Sequence, residues 1–297
     1  MSQVPGGPQG GGFMQGSFTQ GAPGQRPGQG QQQVDLGQVL TQMNTRVHEL
    51  MMGMTNLRRR VWGNEAKQLL AEAKRKARMP LIFRSPMGED VLLWDLFGGK
   101  LDGFYVEAGA GDGRLGSVSY VFDAVGWDGV LVEARPEAAE AAKANRPNAR
   151  VEHAALTRAG KDGEGTMHVP EKMPLYSYLT TSKRVSDRLA EAGGPVREVK
   201  VPLKSLNTVL GEVDGPIDLL VMDLVGGEID ALAGFDRDKY KPRVMMIDGQ
   251  HESANGQTVE GYMKGTGYSL LAAFAGSRVY VREGDDEIMR RAETLVI

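Results

Sequence analysis

The sequence of 297 residues contains no cysteine, and this absence removes several kinds of chemistry at once. A disulfide scaffold, a thiolate zinc site, an iron–sulfur cluster and a cysteine nucleophile are all excluded. Long apolar runs are lacking as well, since none approaches the roughly 20 residues that a membrane span needs. The start also lacks the basic-then-apolar layout of a signal peptide. We therefore expect a cytoplasmic protein without a membrane span.

Charge of one sign is scarcely in excess: 35 lysines and arginines face 38 acidic residues, which gives a net charge of −3. This balance gives no global reason to expect a nucleic-acid partner. Hydrophobic residues at 41% and charged residues at 25% are typical of a chain that folds around an apolar core. The composition therefore predicts a globular protein of one large domain or two small ones.

Residues 1–33 have almost no charged or aliphatic side chains and consist mainly of Gly, Gln, Pro, Ser and Thr. A segment of this composition buries too little apolar surface to offset the entropy of ordering it. We predict that residues 1–33 form a disordered Gly/Gln-rich leader.

A heptad repeat begins after Val34. Its apolar side chains alternate in steps of four and three residues: Leu36, Leu40, Met43, Val47, Leu50, Met54, Leu57 and Val61. Such a narrow, regular stripe is typical of a coiled-coil seam, whereas a helix that packs on its own domain shows a wider one. We expect a helical arm over residues 34–79 and a homo-oligomer joined through residues 34–61. A helix packed on its own domain remains the alternative.

Strand and helix patterns alternate beyond Pro80, which predicts one α/β domain over residues 80–297 with a doubly wound, mostly parallel sheet. The strands are expected at 104–108, 129–133, 151–156, 198–203, 217–223 and 244–248, with an antiparallel hairpin at 268–273 and 278–282. Helices are expected over residues 115–125 and from Pro136 to Asn145.

An irregular, Gly- and Pro-rich stretch precedes the segment 198–203. Tyr176 and Tyr178 lie within it, where they can line an acceptor cleft. Ordinary packing inside the insertion explains the two side chains equally well.

The first predicted strand leads into the run Glu107-Ala108-Gly109-Ala110-Gly111-Asp112-Gly113. Glycines at alternate positions permit a tight turn and let a nucleotide approach the backbone closely. A ligand of an open α/β sheet binds beyond the carboxyl ends of the strands, so this loop is the expected cofactor site. Gly111, Gly113 and Gly116, with Glu133 about twenty residues on, also satisfy the dinucleotide fingerprint. A nucleotide-cofactor oxidoreductase therefore stays open.

The acid that precedes these glycines favours a different cofactor. The pattern acid-x-Gly-x-Gly-x-Gly resembles motif I of the class I S-adenosylmethionine (AdoMet) methyltransferases. A group of carboxylates also suits a sulfonium cation better than a pyrophosphate. The resemblance implies AdoMet as cofactor, with its ribose at Glu133. The residues expected to hold AdoMet are Glu107, Gly109, Ala110, Gly111, Gly113, Glu133 and Asp223.

Later segments are similar to the FkbM family of methyltransferases. The run Pro216–Glu228, which reads Pro-Ile-Asp-Leu-Leu-Val-Met-Asp-Leu-Val-Gly-Gly-Glu, resembles the family's "idllKiDvEGaE", and Ala231–Gly234 resembles its "vLkG". Val201–Asn207 resembles its "tLD" segment, and Glu133–Pro136 its acidic-Pro segment. The resemblance spans roughly residues 100–250. It implies a Rossmann-like fold and AdoMet-dependent O-methylation of a sugar, glycan or polyketide-like acceptor.

Three positions depart from the family pattern. Gly111 stands in place of an asparagine, Val225 in place of the acid in "DvEG", and Asn207 in place of the aspartate in "tLD". These departures keep a third interpretation open: a methyltransferase-fold scaffold that has lost its chemistry and self-assembles through the helical arm.

Two aspartates, Asp223 and Asp248, end neighbouring predicted strands, and His251 follows the second. Methyl transfer to a hydroxyl needs orientation and removal of a proton, and imidazole titrates near neutrality. We predict His251 as the catalytic general base and Asp223 as a second catalytic residue that faces the acceptor or the cofactor. Asp223, Asp248 and His251 or Glu252 form an alternative set of ligands for a divalent ion. Their spacing is not diagnostic, and we expect no metal.

Overall fold

The computed structural model describes residues 36–211, 213–251, 253–274 and 276–295. The predicted leader lies outside the described residues, and so does Glu252. The chain divides into two units, one that ends at Arg46 and one from Val47 to Ile297. Among the described residues, no helix combines the length and the apolar character needed to cross a membrane.

Helices and short strands alternate along the described chain. The helices are α1 (Leu36–Glu72), α2 (Glu89–Phe97), α3 (Tyr120–Val125), α4 (Pro136–Asn145), α5 (Lys183–Gly193), α6 (Leu206–Val209), α7 (Glu228–Leu232), α8 (Arg237–Tyr240), α9 (Val259–Met263) and α10 (Asp286–Glu293), with a 3₁₀ turn at Pro174–Tyr176. The strands are β1 (Phe104–Ala108), β2 (Asp128–Glu133), β3 (Arg150–His153), β4 (Ala155–Thr157), β5 (Gly163–Pro170), β6 (Val196–Ser205), β7 (Leu219–Met222), β8 (Val244–Asp248), β9 (Tyr268–Phe274) and β10 (Ser277–Arg282).

The central sheet has the strand order β3-β2-β1-β7-β8-β10-β9. β1 pairs in parallel with β2 and β7, β8 pairs in parallel with β7, and β10 runs antiparallel to both of its neighbours. The chain adds strands outward from β1 to β3 and then returns to the other side of β1, so the switch point lies between β1 and β7. The predicted α/β sheet, mostly parallel with an antiparallel C-terminal hairpin, is confirmed.

Side chains of the central strands alternate between two apolar layers. In β7, Leu219 and Val221 pack in the layer that contains α2 and α3, whereas Leu220 and Met222 pack in the layer that contains α6 and α7. All four side chains are buried. Parallel strands covered on both faces form continuous apolar runs, which explains why the sequence pattern located them.

Several elements differ from the sequence prediction. The strand expected at 151–156 is divided into β3 of the central sheet and β4 of a second sheet, whose order is β4-β6-β5. β5 forms in a stretch that had no regular pattern. The helix expected from residue 115 begins only at Tyr120, because the hydroxyls of Ser117 and Ser119 donate to Glu107. α1 ends at Glu72 rather than near residue 79, just before Lys74 adopts a φ of 55°.

One face of α1 packs on the globular domain within the second unit. Ala66 and Leu70 are buried, and Trp62 and Leu69 contact the same apolar layer. The heptad residues of this unit are exposed: Val47, Leu50, Met54, Leu57 and Val61. The face that packs on the domain is therefore not the predicted seam.

Candidate active site

Glycines with positive φ shape the loop after β1. Gly109 has a φ of 80°, and a Cβ built there would lie 1.9 Å from the carbonyl oxygen of Asp223. Only glycine therefore lets the ends of β1 and β7 approach this closely. Gly111 has a φ of 57°, but the nearest heavy atom to a Cβ built there, Nη2 of Arg135, is 3.9 Å away. The space in front of Gly111 is open.

The carboxylate of Glu107 holds this loop in place. Its Oε1 accepts a hydrogen bond from the Val118 amide at 2.8 Å, and its Oε2 accepts from the hydroxyls of Ser117 at 2.7 Å and Ser119 at 2.5 Å. Glu107 is 4% exposed and lines a cavity at the end of β1. The acid that begins motif I thus fixes the path of the chain around that cavity.

A buried ion pair supports the same loop from beneath. Arg146 and Asp123 both have fully buried side chains, with 2.7 Å between Nε and Oδ2. Arg146 also donates to the carbonyl of Gly113 at 2.9 Å and to the hydroxyl of Ser117 at 3.0 Å. Sequence reasoning missed this pair because Asp123 lies on α3, Arg146 directly follows α4, and no motif joins them.

Both oxygens of Glu133, at the end of β2, accept hydrogen bonds. The Gly111 amide donates to Oε2 at 2.7 Å, and the backbone amide and Nε of Arg135 donate to Oε1 at 2.8 and 3.1 Å. Glu133 therefore ties the loop after β1 to the end of β2. The sequence motif contained Arg135 without assigning it a role.

A cavity lies beside Glu133. Its wall contains a largely apolar set: Val132, Ala134, Ala154, Leu156, Met167 and Leu179. Gly109, Gly111, Asp223 and Val225 also belong to the lining. A mostly apolar cavity with a few polar groups is typical of a small-molecule site. An apolar slot that ends at a carboxylate suits a nucleoside, with its base in the slot and its ribose hydroxyls at the acid.

A larger cavity shares Gly109, Gly111, Asp223 and Val225 with the first. Other members of its lining are Pro86, Met87, Glu89, Glu107, Leu115, Tyr176, Asp248 and His251. The shared residues make the two cavities adjoin beyond the carboxyl ends of β1, β7 and β8. The crevice therefore lies where the topology of the sheet predicts a ligand.

His251 lies in the larger cavity, and Asp248 orients its ring. The Nδ1 of His251 is 2.6 Å from Oδ2 of Asp248, and this hydrogen bond raises the pKa of His251 despite partial burial. An imidazole that donates through Nδ1 keeps Nε2 as an acceptor, which is the state a general base requires. Tyr176 packs edge-on near His251, at 6.3 Å between ring centroids, whereas Tyr178 stacks on His168.

Three carboxylates, those of Asp223, Glu228 and Asp248, come within 4.8 Å of one another. Burial raises the pKa of Glu228 to about 8 and that of Asp223 to about 6, and the charge of Asp248 adds to both shifts. The side chain of Asp223 is accessible to solvent through the crevice, although many protein atoms lie around it. Such a group holds either shared protons or a divalent cation.

Glu228, the last residue of the "DvEGaE"-like run, has a structural task that sequence reasoning missed. Its two oxygens accept hydrogen bonds from the amides of Leu224 and Gly226 at 2.6 and 3.0 Å. The side chain therefore closes the turn after β7 and holds Asp223 at the crevice.

The structure shows the local role of each of the three residues that depart from the family pattern. Gly111 adopts a left-handed conformation, which asparagine also tolerates. The Oδ1 of Asn207 accepts a hydrogen bond from the backbone amide of Asp236 at 2.8 Å. The side-chain amide of Asn207 therefore joins α6 to the residue that precedes α8. Val225 has a φ of 53°, unusual for a β-branched residue, and is buried against Val185 and Leu189 of α5.

Comparison with known proteins identifies a family and several solved structures, two of which are described here. The model of the methyltransferase FkbM domain matches residues 107–270. No curated protein matches the chain. A solved structure of the putative methyltransferase yhhF from Escherichia coli shares 13% identity, with a TM-score of 0.35 over 66% of this chain and 87% of that one. A TehB-like SAM-dependent methyltransferase from Corynebacterium glutamicum shares 15% identity, with a TM-score of 0.36 over 78% of this chain and 99% of that one.

Proposed function

The chain belongs to the FkbM methyltransferase family, whose domain model matches residues 107–270, and on this premise we propose that it methylates a hydroxyl with AdoMet as donor. The proposed acceptor is a sugar, a glycan or a polyketide-like molecule. One observation carries the proposal: a mostly apolar cavity ending at Glu133 adjoins a cavity that contains a hydrogen-bonded His251–Asp248 pair.

The residues of the smaller cavity fit AdoMet. A Cβ at Gly111 would fill the open space in front of the loop, the apolar wall suits an adenine, and Glu133 suits a ribose diol. When bound, AdoMet would supply the methyl group, and its sulfonium would leave readily as a neutral thioether. We propose that it is held by Glu107, Gly109, Ala110, Gly111, Gly113, Glu133 and Asp223.

The larger cavity supplies the groups that act on the acceptor. Nε2 of His251 takes the proton of the acceptor hydroxyl, while Asp248 holds the ring and stabilises the imidazolium that results. Asp223 lines both cavities and orients the hydroxyl toward the donor. Orientation and one proton transfer are sufficient, because the donor needs no covalent activation.

The loop after β1 argues against a dinucleotide-dependent oxidoreductase. A pyrophosphate binds at the start of a helix that directly follows the glycine loop. Here residues 111–119 form turns, and α3 begins only at Tyr120. The buried carboxylate of Glu107 beneath the loop would also repel a doubly charged anion.

The acidic limb of the pH profile of kcat/KM is expected to report His251. The base must be neutral, so the rate falls as the pH decreases through a pKa that Asp248 raises above the ordinary value of 6.5. Asp248→Asn removes that charge and should move the limb to lower pH, with a lower plateau because the amide fixes the wrong tautomer. The control is Asp128→Asn, at the opposite end of β2, which should leave the profile unchanged. An unmoved limb in Asp248→Asn would assign the titration to another group.

We also propose that the chain is a homo-oligomer joined through residues 34–61. Support comes from the exposed heptad side chains of α1. Light scattering of the full chain should give a multiple of the 32.2 kDa chain mass. A monomer at every concentration would contradict this.

A further inference from the structure

Two opposite faces of α1 have different tasks. The a positions of the heptad repeat are Leu40, Val47, Met54 and Val61, and at 3.6 residues per turn the residue five positions after each of them lies nearly opposite the seam. Arg59 and Ala66 occupy such positions. Ala66 is buried, and Nη2 of Arg59 donates to the carbonyls of Ser85 and Pro86, the latter at 3.2 Å. The face opposite the seam is therefore the one docked on the domain.

The seam itself is uncovered in the second unit. Its side chains are between 47% and 68% exposed: Val47, Leu50, Met54, Leu57 and Val61. α1 cannot turn this stripe onto its own domain without releasing the contacts of Arg59 and Ala66. The apolar stripe also stops at Val61, where the docked face continues with Trp62 and Leu70. The stripe is therefore available to another molecule.

We propose that a second copy of this chain covers the stripe, with the two α1 helices antiparallel. Knobs-into-holes packing requires a facing helix with the same four-three repeat, and the second copy supplies it. With the centre between His48 and Glu49, Leu40 of each copy faces Leu57 of the partner subunit. The inference rests on the proposed self-association and adds the orientation and the contacts.

The distribution of charge along α1 selects the antiparallel orientation. Residues 58–78 contain eight basic and two acidic side chains, whereas residues 36–57 contain Arg46, His48 and Glu49 as their only titratable groups. A parallel pair would place the two basic segments side by side. The antiparallel pair places residues 58–61 of each copy beside residues 36–39 of the other and separates the two Arg59 side chains by about 30 Å along the axis. This distance is well beyond the screening length of about 8 Å at physiological salt.

The absence of cysteine makes the orientation directly measurable. Full-length Leu40→Cys and Leu57→Cys are produced alone and as a co-expressed pair, then oxidised. A disulfide forms only where two Cα atoms lie within about 7 Å. The antiparallel pair is expected to give a disulfide dimer in the co-expressed sample and little in either single variant. A parallel pair would cross-link each variant alone.

Thr45→Cys is the matched control, because its position lies nearly opposite the seam and should not cross-link in either orientation. Met43→Cys with Met54→Cys repeats the test if one leucine variant does not fold. Cross-linking of single seam variants would overturn the orientation, and absence of seam cross-links in an oligomeric chain would overturn the pairing. A monomeric wild-type chain in light scattering would instead overturn self-association. None of these readouts depends on methyl transfer, so failure of the proposed reaction remains a separate result.

Discussion

Replacement of Gly111 by Val is expected to abolish the thermal stabilisation that AdoMet gives the chain. Gly111 has a φ of 57°, which a β-branched residue adopts only with strain, and the open space in front of it would be filled by the new side chain. A ligand at 100 times its Kd stabilises the folded state by about 2.7 kcal/mol. Scanning calorimetry of the wild-type chain should show this as a raised Tm, and the variant should show no shift.

Gly160→Val separates backbone strain from loss of the cavity. Gly160 has a φ of 74°, is exposed, and has nothing within 4 Å of a Cβ built there. Its variant should unfold at a lower temperature and still respond to AdoMet. A full shift in Gly111→Val would place the cofactor elsewhere, and a wild-type shift with NAD(H) but not with AdoMet would overturn the cofactor.

Replacement of His251 by Ala should lower kcat by 10²–10⁴, the usual loss when a general base is removed. The AdoMet-induced Tm shift should persist, because His251 lines only the larger of the two adjoining cavities. Single-turnover rates on an accepted hydroxyl substrate measure the first effect, and calorimetry measures the second. We expect this loss of kcat because no other histidine among the described residues lines the crevice.

His48→Ala serves as the matched control, since His48 is exposed on α1 and its variant should keep full turnover. Full turnover in His251→Ala would transfer the role of base to Asp223. AdoMet binding without turnover across hydroxyl acceptors and glycans would favour the scaffold interpretation. Val225→Glu and Asn207→Asp, which restore the acids of the family pattern, would then be the variants to assay.

Elements with local signals were predictable from the sequence. α4 begins at Pro136 and ends at Asn145 as predicted, because proline favours the first turn of a helix. The division at Ala154 was not predictable. β4 leaves the central sheet to pair with β6, whose residues lie about fifty positions later, and no local pattern encodes that partner.

The same distinction applies to the candidate site. Asp223, Asp248 and His251 meet in one crevice because each lies at or just beyond the carboxyl end of a parallel strand. The sequence pattern shows where such strands end, so this position could be predicted. Arg146 acts through partners on other segments and Arg135 through Glu133 at the end of β2, so their tasks emerge only when the fold is known. Sequence reasoning therefore located the groups that face the crevice but not those that support them.

Through the hydrogen bonds of Arg59 to the loop at Ser85 and Pro86, the proposed pairing of α1 would make catalysis depend on enzyme concentration. Pro86 and Met87 line the larger cavity, and the side chains of residues 36–51, which precede the docked face, are exposed. A helical segment as short as residues 36–51 is marginally stable in water when nothing packs against it. Fraying from the N-terminal end of α1 would therefore reach the turn that holds Arg59. The proposed second copy would oppose this fraying. Dilution that separates the copies should therefore loosen the cavity wall, and specific activity would fall in assays with very little enzyme.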